Sequence, residues 1–252
     1  MERFNEDALR MMRAVRFAGQ LGFTIESDTF NAIRSLKANL ERVAVERMKV
    51  EFEKMILSPH RALAFKAFVE SELYHSGPDF KEAKETLLKI GAFPLERFTI
   101  TQAWILFAYH EQLTVPQLRK VLKDWKSSNE QISTILTGYQ TLLARIEKEW
   151  DAFLAYECPE VLAIEVEQLL PGIGHSEQLV ELEEVYQQLP IRSMKDIQID
   201  GFGVKEALGL EKMGPIIGEV LQALQTEILS GRLPNENTEI VSWIRNNFNE
   251  SK

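Results

Sequence analysis

The sequence predicts an all-α protein whose helices form one elongated, curved array with no substantial sheet. Apolar residues recur every three to four positions along most of the 252 residues, which is the period of an amphipathic helix. Proline, glycine and capping residues divide these stretches into helix-sized lengths. Within residues 190–203, the alternation of Ile197, Ile199 and Phe202 predicts a short extended segment or turn.

The first half of the chain predicts seven helices, several with a clear start or stop signal. Asn5 is a good N-cap for the first helix, and Gly22 ends it. Ser27 opens the second helix, and Asp79 is predicted to cap the fifth. The sixth is strongly apolar, and its Trp104 is predicted to lie in the core. The predicted helices are residues 5–21, 27–36, 40–56, 62–73, 79–90, 97–112 and 116–126.

The second half predicts five more helices. Ser128 and Gln131 have the spacing of a capping box, which opens a long helix. Gly214-Pro215 precedes another helix, and its free backbone N–H groups are either a phosphate-binding site or an ordinary helix start. The predicted helices are residues 128–150, 160–170, 176–189, 215–228 and 237–248.

The composition limits the kinds of partner. Hydrophobic residues make up 45% of the chain, which is enough for one large core or two to three small domains. The formal net charge is −9, the wrong overall sign for binding nucleic acid, so any such contact must use local basic patches. Residues 1–49 carry nine Lys/Arg and seven Asp/Glu, net +2, so the basic end of the chain is its beginning.

Cysteine content and hydropathy predict a cytoplasmic protein without a membrane span. The single cysteine, Cys158, excludes an internal disulfide and a cysteine metal cluster, which is consistent with a reducing compartment. The four histidines have no metal-ligand spacing, so we predict no metal site. No apolar run approaches the roughly 20 residues of a membrane helix, and no signal peptide is visible.

Three arginines on the first predicted helix, Arg10, Arg13 and Arg16, follow each other at intervals of three. A helix that is apolar almost all round is normally buried, and a buried guanidinium is costly unless it meets negative charge. Only Glu6 and Asp7 are near in sequence, so the arginines suggest an anionic ligand. The apolar positions around them are Leu9, Met11, Met12, Val15, Phe17 and Leu21.

Asp7 and Arg10 are an i, i+3 pair, so their side chains lie on one helix face. A carboxylate only accepts hydrogen bonds and a guanidinium only donates them. Cytosine and adenine present an amino donor beside a ring-nitrogen acceptor, which fits this pair, whereas uracil and guanine present the reverse order. A mismatch would cost about 1–3 kcal/mol for each polar group left unpaired. The alternative is a structural salt bridge, since such pairs are common on helix surfaces.

The residues Glu-Asp-Ala-Leu-Arg at positions 6–10, continuing through residues 13–17 to Gly22-Phe23, resemble the neck motif of bacterial class II tRNA nucleotidyltransferases, the CCA-adding enzymes. In that family the aspartate and the first arginine pair with the base of CTP or ATP. The resemblance therefore implies that Asp7 and Arg10 select the nucleotide and that Arg13 and Arg16 line its site. It also implies that Glu6 supports the arginines.

A second motif, Arg42 to Arg47, resembles the family's next motif, which braces the neck helices. The resemblance implies that Arg42, Glu46 and Arg47 support the site without touching substrate. The alternative is a solvated, ion-paired helix face. The basic residues near Trp125 are a further tRNA-contact candidate, with the same alternative; they are Arg119, Lys120, Lys123 and Lys126.

The resemblance covers essentially the whole chain and implies three parts. These are a neck for base recognition at residues 1–57, a body at residues 58–170 and a tail at residues 171–252. The tail, which resembles the family more weakly, is expected to hold the tRNA elbow. The resemblance implies that the partners are tRNA, CTP, ATP and a catalytic head domain.

Nucleotidyl transfer needs neighbouring metal-binding carboxylates, usually Asp-x-Asp on a strand, and this sequence has no such pair. We therefore expect that the chain lacks the head, that Mg²⁺ is bound by that head, and that this chain alone is inactive. Three functions remain open. The first is the nucleotide-selecting and tRNA-binding part of a CCA-adding enzyme, and the second is a poly(A) polymerase or a CC- or A-adding enzyme of the same superfamily. The third is a non-catalytic helical RNA-binding scaffold.

Overall fold

A computed structural model describes residues 2–248, with the side chains of residues 4–248. The described residues form α-helices and short 3₁₀ turns and contain no β-strand, so the all-α prediction is confirmed. None of these helices is both long enough and apolar enough to cross a membrane. The chain divides into two compact units.

The first unit extends to Ile146 and also includes Glu165–Glu177. Its α-helices are α1 (Glu2–Glu6), α2 (Leu9–Leu21), α3 (Ser27–Leu36), α4 (Val45–Ile56), α5 (Arg61–Glu70), α6 (Lys84–Ala92), α7 (Ile100–His110), α8 (Val115–Asp124) and α9 (Asn129–Glu147). Its 3₁₀ turns are Lys37–Arg42, Leu73–Ser76 and Pro171–Ile173.

The second unit comprises Glu147–Ile164 and the chain from Gln178 onward. Its helices are α10 (Ala152–Glu157), α11 (Glu160–Glu167, whose last turn belongs to the first unit), α12 (Leu179–Gln188), α13 (Gly201–Ala207), α14 (Ile216–Leu229) and α15 (Asn237–Phe248). The segment 190–203 contains the 3₁₀ turn Met194–Asp196 and no strand. The division into neck, body and tail remains a prediction.

The core of the first unit is an aromatic cluster around Phe52 on α4. The Phe52 ring centroid lies 5.1–6.1 Å from those of five other aromatic rings, which are Phe65, Phe68, Phe80, Trp104 and Trp125. Trp104 is 1% exposed, so its predicted core position is confirmed. Trp125 is also buried, and its indole N–H donates to the carbonyl of Pro78 at 2.8 Å.

Three predicted helix starts or spans are wrong. Asn5 lies inside α1 instead of capping α2, because the helix is interrupted at Asp7. The predicted helix 40–56 divides into a 3₁₀ turn and α4, since Val43 and Ala44 are extended. Asp79 has a φ of +59° and lies in a turn that places the neighbouring Phe80 in the aromatic cluster, so α6 begins only at Lys84.

Gly19 allows α2 and α5 to approach closely. A Cβ at this position would lie 2.6 Å from the Cβ of Ala64 and 3.2 Å from that of Ser58. The carbonyl of Gly19 also accepts the backbone N–H of His60 at 3.0 Å. The two helices are therefore packed at a distance that only glycine permits.

Gly19→Ala is expected to lower the free energy of unfolding by about 1–3 kcal/mol, because the added methyl forces the two helices apart. Urea denaturation followed by circular dichroism measures the change. The matched control is Gly218→Ala in α14, where an added Cβ meets nothing within 4 Å. That control should be neutral or stabilising, and an equal loss in both variants would contradict the close packing.

Candidate nucleotide-recognition site

The three arginines of α2 differ in exposure. The side chains of Arg10 and Arg13 are 40% and 44% exposed, whereas that of Arg16 is 10% exposed. Arg10 donates from Nη1 to Glu6 Oε2 at 2.8 Å. The row of arginines therefore runs from the surface at Arg10 and Arg13 towards the interior at Arg16.

Glu51 on α4 is the acidic partner of two of these arginines. Its carboxylate accepts Arg13 Nε at 3.2 Å and Arg16 Nε at 2.6 Å, and its side chain is 5% exposed. The expectation that the arginines lack nearby negative charge is therefore wrong for Arg13 and Arg16. Glu51 lies 35 and 38 residues away in sequence, so local spacing does not reveal the pairing.

Arg16 has two further contacts. Its Nη1 donates to the side-chain oxygen of Gln20, and its guanidinium carbon lies 4.0 Å from the centroid of the Phe17 ring. Together with the bond to Glu51, these contacts fix the guanidinium in place. Arg16 thus has the surroundings of a structural arginine, and its predicted place in a nucleotide site remains a prediction.

Asp7 lies at the interruption between α1 and α2, outside both helices, so the prediction that Asp7 and Arg10 share one helix face is wrong. Its Oδ1 accepts the backbone N–H of Leu9 at 3.1 Å, which satisfies one donor at the start of α2. Arg47 Nη2, at the start of α4, donates to Asp7 Oδ1 at 3.3 Å and Oδ2 at 3.1 Å. Asp7 is therefore held from both sides, and its side chain remains 26% exposed.

The remaining predicted supporting residues, Arg42 and Glu46, are exposed. Across residues 4–248, neither takes part in a salt bridge or side-chain hydrogen bond. Within the motif from 42 to 47, Arg47 is the residue that contacts the start of α2. The bracing role of Arg42 and Glu46 remains a prediction.

The residues that the sequence interpretation missed are Glu51 and Gln20. A signal for Glu51 was present, because it falls three residues after Met48 and four before Met55, on the buried face of α4. A carboxylate on a buried face needs a cationic partner.

Asp7, Arg10 and Arg13 are each partly exposed to solvent, and their exposed partners Glu6 and Arg47 lie beside them. A carboxylate has about four lone-pair positions, and the described contacts of Asp7 use three of them, two on Oδ1 and one on Oδ2. Arg13 bonds to Glu51 through Nε, and its two Nη groups form no hydrogen bond with residues 4–248. The surface can therefore accept one hydrogen bond at Asp7 Oδ2 and donate several from Arg13.

No group of three or more His, Cys, Asp or Glu side chains in the part of the chain that the structure describes could hold a metal ion. The described residues thus do not fit a metal centre. The four basic residues around α8 are exposed, although Lys120 pairs with Asp124 at 2.6 Å and with Asp79 at 3.6 Å.

Two family models match the chain. The model described as tRNA nucleotidyltransferase domain 2 (putative) matches residues 96–244. The model described as the probable RNA- and SrmB-binding site of polymerase A matches residues 22–84.

Curated relatives match almost the whole chain. The CCA-adding enzyme of Enterococcus faecalis is 33% identical over 245 residues, which is 97% of this chain and 60% of the relative. The CCA-adding enzyme of Bacillus cereus is 33% identical over 248 residues, which is 97% of this chain and 62% of the relative. This chain therefore spans about 60% of the length of these relatives.

A solved structure has the same fold. The crystal structure of the Bacillus stearothermophilus CCA-adding enzyme in complex with CTP matches with a TM-score of 0.85 and 28% identity, covering 97% of this chain and 62% of that chain. Since a family model covers more than half of the sequence and CCA-adding enzymes match nearly all of it, this chain belongs to the tRNA nucleotidyltransferase family.

Proposed function

We propose that this chain is the nucleotide-selecting and tRNA-binding part of a CCA-adding enzyme, which adds C, C and A to the tRNA 3′ end from CTP and ATP. The observation that carries the proposal is that Asp7 and Arg10 both lie partly exposed at the start of α2, where Asp7 pairs with Arg47 and Arg10 pairs with Glu6. The similarity to a CCA-adding enzyme solved with CTP supports it.

In the proposed mechanism, Asp7 accepts a hydrogen bond from the amino group of cytosine or adenine, and Arg10 donates a hydrogen bond to the neighbouring ring nitrogen. Asp7 Oδ2 has a lone-pair position for that amino group beside its bond to Arg47. Arg47 pairs with the carboxylate, and Glu6 pairs with Arg10. Uracil and guanine would place an acceptor against Asp7 and a donor against Arg10, so both bases would be rejected.

Arg13 and Arg16 have different proposed roles. Arg13 donates to the nucleotide from its two Nη groups. These are available because only its Nε donates to Glu51. Arg16 positions Arg13 through the shared Glu51 carboxylate, and it lines the inner end of the site. Arg42 and Glu46 brace α4 as the resemblance implies.

The chemistry of transfer is proposed to lie outside this chain. The sequence has no Asp-x-Asp pair, and the described residues do not fit a metal centre. We infer that Mg²⁺ is bound by a catalytic head domain in the whole enzyme and that this chain alone does not transfer nucleotides. The tRNA is contacted by the body and tail, and the single, buried cysteine Cys158 fits a cytoplasmic enzyme.

A second candidate within the superfamily is a poly(A) polymerase or an enzyme that adds only CC or only A. The match of residues 22–84 to a polymerase A model favours the first of these. Joining this chain to a catalytic head and counting the nucleotides added to a tRNA without its terminus would decide among them.

Asp7→Ala is expected to abolish the preference for CTP and ATP over UTP and GTP. The loss of one matched hydrogen bond corresponds to roughly 1–3 kcal/mol, or about 5- to 150-fold in relative affinity. Competition between labelled CTP and each of the other nucleotides measures the preference in the chain and in a head-bearing enzyme.

The control for this test is Glu41→Gln, which removes an exposed carboxylate in the 3₁₀ turn before α4. It should leave the preference unchanged. Unaltered selectivity in Asp7→Ala would contradict the proposed function and favour the third alternative, a non-catalytic helical scaffold. The same conclusion would follow if the chain bound tRNA with no dependence on salt, because phosphate contacts make RNA affinity fall steeply with salt.

A further inference from the structure

We propose that the cavity at the start of α5 binds a backbone phosphate of the RNA, at a site separate from the base-selecting pair Asp7 and Arg10. The proposal rests on the proposed function, since it takes tRNA as the partner. The cavity has a volume of about 910 Å³ and is lined by residues 56–63 and 91–99.

Arg61, which lines this cavity, carries a buried charge without an acidic partner. The residue is 9% exposed, and no Asp or Glu side chain among residues 4–248 forms a salt bridge with it. Its Nη2 donates to the backbone carbonyls of Phe93, at 2.5 Å, and Leu95. Its guanidinium carbon lies 4.8 Å from the centroid of the Phe98 ring. These contacts hold the guanidinium but do not neutralise it.

The other nitrogens of Arg61 have donors to spare. Nε is buried and has no hydrogen-bond partner. Nη1 also has no hydrogen-bond partner among the described residues, but it retains accessible surface. Burial lowers the pKa of Arg61, because desolvation disfavours its charged form. An anion in the cavity would supply the missing negative charge at Nη1.

The start of α5 adds positive charge to the same cavity. The helix runs for ten residues from Arg61 to Glu70, long enough for its dipole to favour an anion at the first turn. His60, the N-cap, makes no side-chain hydrogen bond to the helix, and the first turn has no acidic residue. At this end the backbone N–H of Arg61 donates to the Ser58 carbonyl at 3.1 Å and that of Leu63 to the His60 carbonyl at 2.9 Å, whereas the N–H of Ala62 has no hydrogen-bond partner among the described residues.

The charged residues around the cavity favour an anion. Arg61 and Arg97 are basic and His60 is titratable, whereas Glu96 is the single acidic residue among the lining residues. Arg97 and Glu96 are both exposed, so Glu96 can turn to solvent when a phosphate binds. The volume exceeds that of one phosphate and has room for the sugars beside it on an RNA strand. Residues 22–84, which match a model described as a probable RNA-binding site, include one of the two lining segments.

The test variant is Ala62→Glu, because Ala62 is exposed, lines the cavity and lies in the first turn of α5. A glutamate there suits the helix dipole, so the fold is retained, and it repels a phosphate. The matched control is Asn129→Glu, which adds the same charge to the exposed first position of α9. Arg97→Gln is a second variant that removes a lining charge without touching the buried Arg61.

The first measurement titrates inorganic phosphate at constant ionic strength and follows the thermal unfolding midpoint. A ligand that binds the folded state raises this midpoint. Phosphate should stabilise the unmodified chain and Asn129→Glu equally, and the effect should be at least tenfold weaker in apparent affinity for Ala62→Glu. Equal stabilisation of Ala62→Glu and Asn129→Glu would overturn the proposal.

The second measurement is tRNA affinity at several salt concentrations. Loss of one phosphate contact should reduce the slope of log affinity against log salt by about 0.7–1 in Ala62→Glu and Arg97→Gln. An unchanged slope with lost phosphate binding would assign the cavity to a free phosphate or nucleotide and overturn the RNA assignment. If the unmodified chain bound no tRNA, the proposed function would fail, and the phosphate titration would still decide whether the cavity binds an anion.

Discussion

Glu51→Gln is expected to lower the free energy of unfolding by about 3–5 kcal/mol, because it leaves the buried guanidinium of Arg16 without its counter-charge. The Glu51 side chain is 5% exposed, and its two oxygens accept Arg13 and Arg16 separately. Gln keeps the shape of the side chain but offers one oxygen and a competing amide N–H. Urea denaturation of the variant measures the loss.

The control for Glu51→Gln is Glu41→Gln, the same substitution at an exposed position, which should change stability by no more than about 0.5 kcal/mol. A double variant, Glu51→Met with Arg16→Met, removes both members of the buried pair. It should be more stable than Glu51→Met alone, since no unpaired buried charge remains; Arg13, which also loses Glu51, is 44% exposed. Equal losses in the single and double variants would contradict the role of Glu51 as a counter-charge.

Phe52→Ala is expected to cost about 3–5 kcal/mol, the range for truncating a buried phenylalanine to alanine. Phe52 is 3% exposed and contacts Phe65 on α5, Trp104 on α7 and Trp125 at the end of α8. Phe52→Leu should cost less, because it refills part of the volume. Chemical denaturation followed by tryptophan fluorescence reports the loss, since Trp104 and Trp125 lie in the cluster.

The control for the aromatic core is Phe23→Ala. Phe23 is 67% exposed, so removal of its ring should change stability by less than about 1 kcal/mol. A similar loss for Phe23→Ala and Phe52→Ala would mean that the cluster contributes no more than an exposed ring.

Local sequence signals predicted the start of a helix well where one capping residue directly precedes the helical pattern. Gln131 donates its backbone N–H to Ser128 Oγ at 3.1 Å, which is one half of the predicted capping box, and α9 begins at Asn129. The other half is absent from the described hydrogen bonds, because the Gln131 side chain bonds to Lys49 and Glu53 on α4. The first helix is different, because Asp7 itself satisfies the N–H of Leu9 and interrupts the helix that Asn5 was expected to open. Both residues are good caps, so local propensity alone cannot choose between them.

Only the residues of the candidate site that belong to the motif from Glu6 to Arg16 were predictable from the sequence. The motif from Glu6 to Arg16 is contiguous, and its resemblance to the neck motif identified the arginines. The partners of Asp7, Arg13 and Arg16 come from α4, more than 30 residues away, and depend on how two helices pack. The cavity at Arg61 joins two segments about 30 residues apart and has no motif of its own. Tertiary contacts of this kind leave little trace in a single sequence.

The arginines of α2 are buried to different degrees, so the helix starts with exposed ion pairs at Arg10 and continues to a buried ion pair at Arg16. Arg16, Glu51 and Gln20 form a rigid anchor inside the protein. Glu6, Arg10 and Asp7 interact near water, where ion pairs are weak and easily rearranged. Cytosine and adenine differ by a whole ring, so under the proposed function a site that accepts both bases needs side chains that can shift where the base binds. The weak ion pairs at the start of α2 and the buried contacts of Arg16 are consistent with that requirement.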